Sequence, residues 1–100
     1  MYTIVERRTT NRESLQETGE RAQSEFFPHL QQAPGFIGFY LVADEANSIN
    51  TAVIVWESKA HADAFEEAVY SNWVQTLEQF GHTLQSENRG ETVISIEPQR

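Results

Sequence analysis

The order of strand and helix signals predicts an α+β domain of β-α-β-β-α-β topology, with two helices over one four-stranded antiparallel sheet. Three observations carry that prediction. Two stretches repeat apolar residues at helical spacing between capping and stopping residues. Short runs rich in β-branched and aromatic residues flank them. One hundred residues without a cysteine leave room for a single core over 1–100, with no disulfide to hold it.

Tyr2 to Arg8 reads as a strand entering a turn at Thr9–Thr10–Asn11. Thr10 and Glu13 stand at capping-box spacing, which satisfies free amides at a helix start. Leu15, Gly19, Ala22, Phe26, Leu30 and Ala33 then recur at steps of four, three, four, four and three, forming one stripe of an amphipathic helix. Pro28 should kink that helix, and Pro34–Gly35 should stop it. Phe36 to Ala43 is the second strand, and a turn over Asp44 to Asn50 leads into the third, Thr51 to Glu57. That acidic turn lacks the spacing and glycine of a calcium loop.

Ser58 caps a second helix through Ala60, Ala64, Phe65, Ala68 and Val69. Tyr70–Ser71–Asn72 should interrupt it before Trp73, Val74, Leu77 and Phe80 resume the stripe, and Gly81 closes it. A polar loop, Gln85 to Gly90, is expected before a last strand, Thr92 to Ile96, ended by Pro98. This is the ferredoxin-like arrangement.

A sheet covered on one side should alternate apolar and polar residues. The second and third strands do not. Phe36, Gly38, Tyr40 and Val42 are expected on one face and Ile37, Phe39, Leu41 and Ala43 on the other; Val53 and Val55 oppose Ala52, Ile54 and Trp56. Two helices cannot cover both faces, and soluble monomers avoid large open apolar patches. A homodimer formed by sheet-to-sheet packing resolves this, symmetric dimers being the commonest soluble oligomers.

Fifteen acidic residues against seven basic ones give a net charge of −8. That balance disfavours nucleic acid and anionic membranes, since Arg7–Arg8 is the only adjacent basic pair. MYTIVERRTT lacks the apolar run of a signal peptide and no stretch is long enough to cross a bilayer, so a cytoplasmic protein is expected.

The segments Phe26-Phe27-Pro28-His29-Leu30 and Ala33-Pro34-Gly35-Phe36 with Tyr40, then Val55-Trp56-Glu57-Ser58-Lys59, Trp73–Val74 and Gly90-Glu91-Thr92-Val93, together resemble antibiotic-biosynthesis-monooxygenase-like proteins. The resemblance covers most of the chain as a spaced pattern. It implies the dimeric α+β barrel fold and, by analogy, a cofactor-independent monooxygenase acting on a small aromatic or quinol-type molecule. Where the haem-degrading branch of that superfamily carries Asn, Trp and His, this chain holds Arg7, Phe65 and Gln75, which disfavours haem degradation.

Under that reading Tyr40, Trp56 and Phe27 wall a substrate together with Trp73, which sits beside the expected helix break. His29, placed after the kink, could take a proton, and Asn72 could donate to a carbonyl or oxyanion. His29, His61 and His82 show no metal-ligand spacing, so no metal and no cofactor is expected. His61 reads as solvated and His82 as a structural residue past a helix end. Of Glu6 and Arg7, one must point inward, where a buried charge needs a partner or a ligand. The alternative function is a non-catalytic dimeric domain, small-ligand-binding or stress-related.

Overall fold

Two central strands and two edges make the sheet. In the computed structural model, which describes residues 1–10 and 12–99 (for 12–14 the backbone alone), β1 (Tyr2–Thr9) lies between β3 (Ile49–Trp56) and β4 (Thr83–Glu91). With β2 (Phe36–Asp44) beyond β3, the order is β2-β3-β1-β4, antiparallel throughout. The α+β, ferredoxin-like class read from the sequence is the observed one. Among the described residues no helix is long and apolar enough to cross a membrane.

The Thr10–Glu13 capping box lies outside the described residues. α1 (Arg12–Glu25) gives way to α2 (Phe27–Gln32) at Phe26, two residues before the proline. Pro28 thus falls in the first turn of α2, where its missing N–H leaves no intrahelical bond unmade. Gly35 turns the chain with φ at +79°, which a residue with a side chain adopts poorly, and it lies against His61: a Cβ there would sit 2.3 Å from His61 Cγ. His61 is therefore half-buried and not solvated, with Nδ1 2.7 Å from the hydroxyl of Ser58. Ser58 caps α3 (Lys59–Phe65), its Oγ accepting from the His61 backbone N–H.

The expected interruption takes the form of a π-helical turn, Glu66–Tyr70, just ahead of α4 (Ser71–Gln79). The Ser71 N–H reaches back five residues to the Glu66 carbonyl. Gly81, at φ +84°, ends α4 and lets His82 N–H bond to the Leu77 carbonyl at 2.9 Å.

Tyr2, Ile4, Glu6 and Arg8 of β1 are buried on the helix-facing side, together with Ile54 and Trp56 of β3. On the opposite face Val5 pairs with Val53, and Val53 with Tyr40. Tyr40 and Val42 are 63% and 60% exposed there. One assignment needs correction: a register shift between Phe36 and Gly38 breaks the alternation. Phe36 lies with Phe39, Leu41 and Ala43, its ring 5.8 Å from that of Trp56, rather than with Tyr40 and Val42.

The last strand is also displaced. Residues 85–90, expected as a loop, belong to β4, and Thr92–Ile96 lies outside the sheet. β4 exposes nearly every residue, so no apolar alternation marks it; its pairing with β1 does. The chain leaves the sheet after the Thr92 N–H bonds to the Met1 carbonyl at 2.8 Å.

Candidate active site

A space is left between α1, α4 and the sheet. A cavity of about 320 Å³ opens there, within the range of small-ligand sites. Its walls are mostly apolar: Ala22 and Phe26 from the first helical layer, Phe39 and Leu41 from β2, Trp73 and Leu77 from α4. Trp73 stacks on Phe26 with ring centroids 5.1 Å apart and planes within 4°. A flat apolar surface results.

One end of the cavity is polar. Strand alternation places Glu6 and Arg8, two residues apart on β1, on the same inward face, 5% and 8% exposed. Arg8 Nη2 lies 3.7 Å from Glu6 Oε2, and the Tyr70 hydroxyl, carried in by the π-helical turn, donates to the same carboxylate. Burial raises the Glu6 carboxyl above the usual carboxylate range, although the Tyr70 hydrogen bond and the Arg8 cation pull the other way. Burial, then the Glu6 charge, pushes the Tyr70 hydroxyl far up, so it remains a donor.

His82 completes this end. It is 2% exposed, and its Nε2 lies 2.8 Å from Thr18 Oγ1 of α1. Burial and then the Arg8 cation lower the imidazole, which is accordingly neutral at neutral pH, and the ring also bonds to the Thr9 backbone. Among the described residues, Arg8 Nε and Asn50 Oδ1 are buried without a hydrogen-bond partner. Asn50 lines the same cavity.

Of the side chains singled out from the sequence, the structure brings Phe27 and Trp73 to the cavity. Trp56 does not reach it: 1% exposed, it is packed between Phe36 and Phe65. Tyr40 stands on the other face of the sheet. Asn72 is exposed on α4, because consecutive helical residues diverge by about 100° and Trp73 takes the inward direction. His29 is exposed on α2, beside the buried Leu30, for the same reason. Arg8, Thr18, Tyr70 and His82 were not singled out as site residues. The Glu6–Arg8 spacing was a legible signal, whereas Thr18 and His82 meet across 64 residues of sequence. Among the described residues no group of three or more His, Asp or Glu side chains is placed to hold a metal ion.

Fold and cavity together define a ferredoxin-like α+β domain with a ligand-sized space beneath its helices. HapK from Hahella chejuensis has this fold, with a TM-score of 0.79 and 18% identity over the whole of both chains. So has a candidate antibiotic biosynthesis monooxygenase from Deinococcus radiodurans, at 0.73 and 14% over the whole of both chains. Another from Nitrosomonas europaea matches at 0.72 and 14%, over 94% of this chain and all of that one. At such identities the likeness is one of fold: the chain folds as antibiotic-biosynthesis-monooxygenase-like structures do. No family model and no curated protein matches the sequence.

Proposed function

We propose that the cavity takes a small flat aromatic or quinol-type molecule, and that the protein is a cofactor-independent monooxygenase-like enzyme working as a homodimer. The observation that carries this is the union, in one cavity, of the Trp73–Phe26 stack with the Glu6–Arg8–Tyr70–His82 cluster. An electron-rich substrate lies on the rings. Neutral His82 takes a proton from it, and Arg8 with Tyr70 stabilises the anion that remains. That carbanion passes an electron to dissolved oxygen, and the two radicals join as a peroxide anion. The His82 imidazolium returns its proton to make the hydroperoxide, and loss of water leaves a ketone. One CH₂ and one O₂ thereby become one C=O and one H₂O. Surface-exposed His29 and Asn72 have no part in this scheme.

Oxygen uptake with a panel of hydroxylated anthrones and quinols tests it. His82→Ala should lower turnover by roughly 100-fold or more, as loss of a general base does. Trp73→Ala should raise KM. Absence of turnover in the wild type, or equal turnover in both variants, would sink the enzyme reading. A non-catalytic small-ligand-binding domain has its own support, since Glu6 is already engaged by Tyr70 and Arg8 and His82 by Thr18. In that case the same compounds quench tryptophan fluorescence without consuming oxygen.

The homodimer rests on the outer face of the sheet, where Tyr40 and Val42 stand exposed beside half-buried Val5, Val53 and Val55. Sedimentation at micromolar concentration should give twice the 11.4 kDa chain mass, and a persistent monomer refutes the pairing.

A further inference from the structure

We propose that Arg89 is a positioning residue for the polar end of the cavity: by holding Glu66 it fixes the π-helical turn that presents Tyr70 to Glu6. Its consequence for turnover rests on the enzyme reading above, whereas the positioning itself does not.

Strand register brings the parts together. Arg89 of β4 pairs with Ile4 of β1, and Glu87 pairs with Glu6. Residues directly opposite one another lie on one face of a sheet, so Arg89 and Glu87 share the helix-facing side with the buried Ile4 and Glu6. There the Arg89 guanidinium grips Glu66 with both arms of its fork. Nη2 donates to Oε1 at 2.6 Å and Nη1 to Oε2 at 3.2 Å. The Nε–H donates to the Tyr2 hydroxyl at 3.1 Å, and Nη1 also lies 3.1 Å from Glu87 Oε1. These contacts fix the plane of the guanidinium and hence the place of Glu66.

The Arg89 and Glu66 side chains are 31% and 28% exposed, so water screens this pair less than the helical pairs Arg21–Glu25 and Lys59–Asp63. Among the described residues it is the ion pair that ties the helical layer to the sheet.

Glu66 opens the turn that Tyr70 closes. Its carbonyl accepts from the Ser71 N–H and, at 2.9 Å, from the Ser71 hydroxyl. One residue therefore carries both the side-chain anchor and the bond that defines the wide turn. Four positions on, the Tyr70 hydroxyl donates to Glu6. The turn is tied to β4 at its start and to β1 at its end. Release of Glu66 frees the start, and the Tyr70 donor loosens with it.

Amide hydrogen exchange followed by NMR reads the turn directly. In Arg89→Met the Ser71 amide should exchange at least about tenfold faster than in the wild type, with Ile4 and Ile54 unchanged. Arg89→Lys keeps the charge but not the fork and should fall between the two. Arg21→Met, which breaks an exposed pair within α1, should leave Ser71 as it is. Carbon-13 titration of the Glu6 carboxyl gives a second reading. Burial raises this group and the Tyr70 hydrogen bond opposes that, so loosening Tyr70 should move the midpoint up. The other charges that act on it are Arg8, Glu87 and Glu66. Loss of the Arg89 charge alone would act with or without the tyrosine hydroxyl, so the shift should shrink in a Tyr70→Phe background. An unchanged Ser71 amide, a uniform acceleration of all amides, an equal effect of Arg21→Met, or an equal Glu6 shift in Tyr70→Phe overturns the proposal. Should Arg89→Met not fold, Glu66→Gln takes its place in the exchange measurement under the same criteria. Neither reading needs a substrate, so a wild type that consumes no oxygen sinks the enzyme reading alone.

Discussion

Replacing Phe26 with alanine is expected to remove about 3–5 kcal/mol of folding stability, as other buried phenylalanine truncations do. Against the roughly 5–15 kcal/mol of an ordinary domain, that is a large share. Phe26 is 2% exposed and stands where α1 breaks into α2. Its ring meets those of Phe27, Phe39, Phe65 and Tyr70 at 5.8–6.0 Å and stacks on Trp73. Five aromatic neighbours cannot all relax into one vacated volume, so the void should persist and merge with the cavity that Phe26 lines. Urea denaturation of Phe26→Ala and Phe26→Leu measures this. Leucine should restore part of the loss, and a loss under about 1 kcal/mol for alanine would mean that the neighbouring rings had collapsed inward.

Arg8→Met should destabilise the fold by about 3–5 kcal/mol near pH 8, because it strands a buried carboxylate without its cation. Near pH 5 the loss should be much smaller. The Glu6 carboxyl is raised in the fold above its ordinary value of 4.5. Between that value and the folded one, the native chain therefore holds more protons than the unfolded chain. Stability contributed by the protonated carboxyl is present at low pH and is lost as pH rises through this window. Without Arg8, which draws the Glu6 value down, the window widens upward. His82 has the opposite pH dependence but also makes the loss in Arg8→Met smaller at low pH. Its imidazole is lowered in the fold, so stability falls as pH drops below the ordinary 6.5, and removal of the Arg8 cation eases that penalty. Urea melts of wild type, Arg8→Met and Arg8→Met with Glu6→Gln at both pH values test the account. An equal loss for Arg8→Met at pH 5 and pH 8 would overturn it.

How much of this was readable in the chain depends on where each signal resides. Helix stripes and capping residues are local, so Leu15 to Ala33 and Ser58 to Gly81 declared themselves. The two-faced character of β2 and β3 was equally plain, except at Phe36, where a bulge shifts the alternation and composition gives no sign of it. β4 escaped because a strand with Gln85, Ser86, Glu87, Asn88 and Arg89 exposed has no buried face to advertise. The β-branched run just after it drew the assignment instead. In the cavity, Trp73 and Phe27 are aromatic residues on helical stripes and could be singled out. The polar end joins β1 to residues 64 positions away, through Glu6 with Tyr70 and His82 with Thr18, and only the folded chain brings such groups together.

The π-helical turn at Glu66–Tyr70 makes the length of this segment matter as much as its composition. Its extra residue resets the angular phase between Phe65 and Trp73, so that Phe65, Tyr70 and Trp73 are all buried. Losing that one residue would turn the segment into a regular α-helix and leave Trp73 facing inward. Gaining a further residue would rotate everything downstream by about 100° and hand Trp73's inward place to a neighbour. Among descendants of this sequence, drift in residue type across 66–69 with Tyr70 kept is compatible with an unaltered cavity, and a one-residue insertion marks the point at which the cavity has been rebuilt.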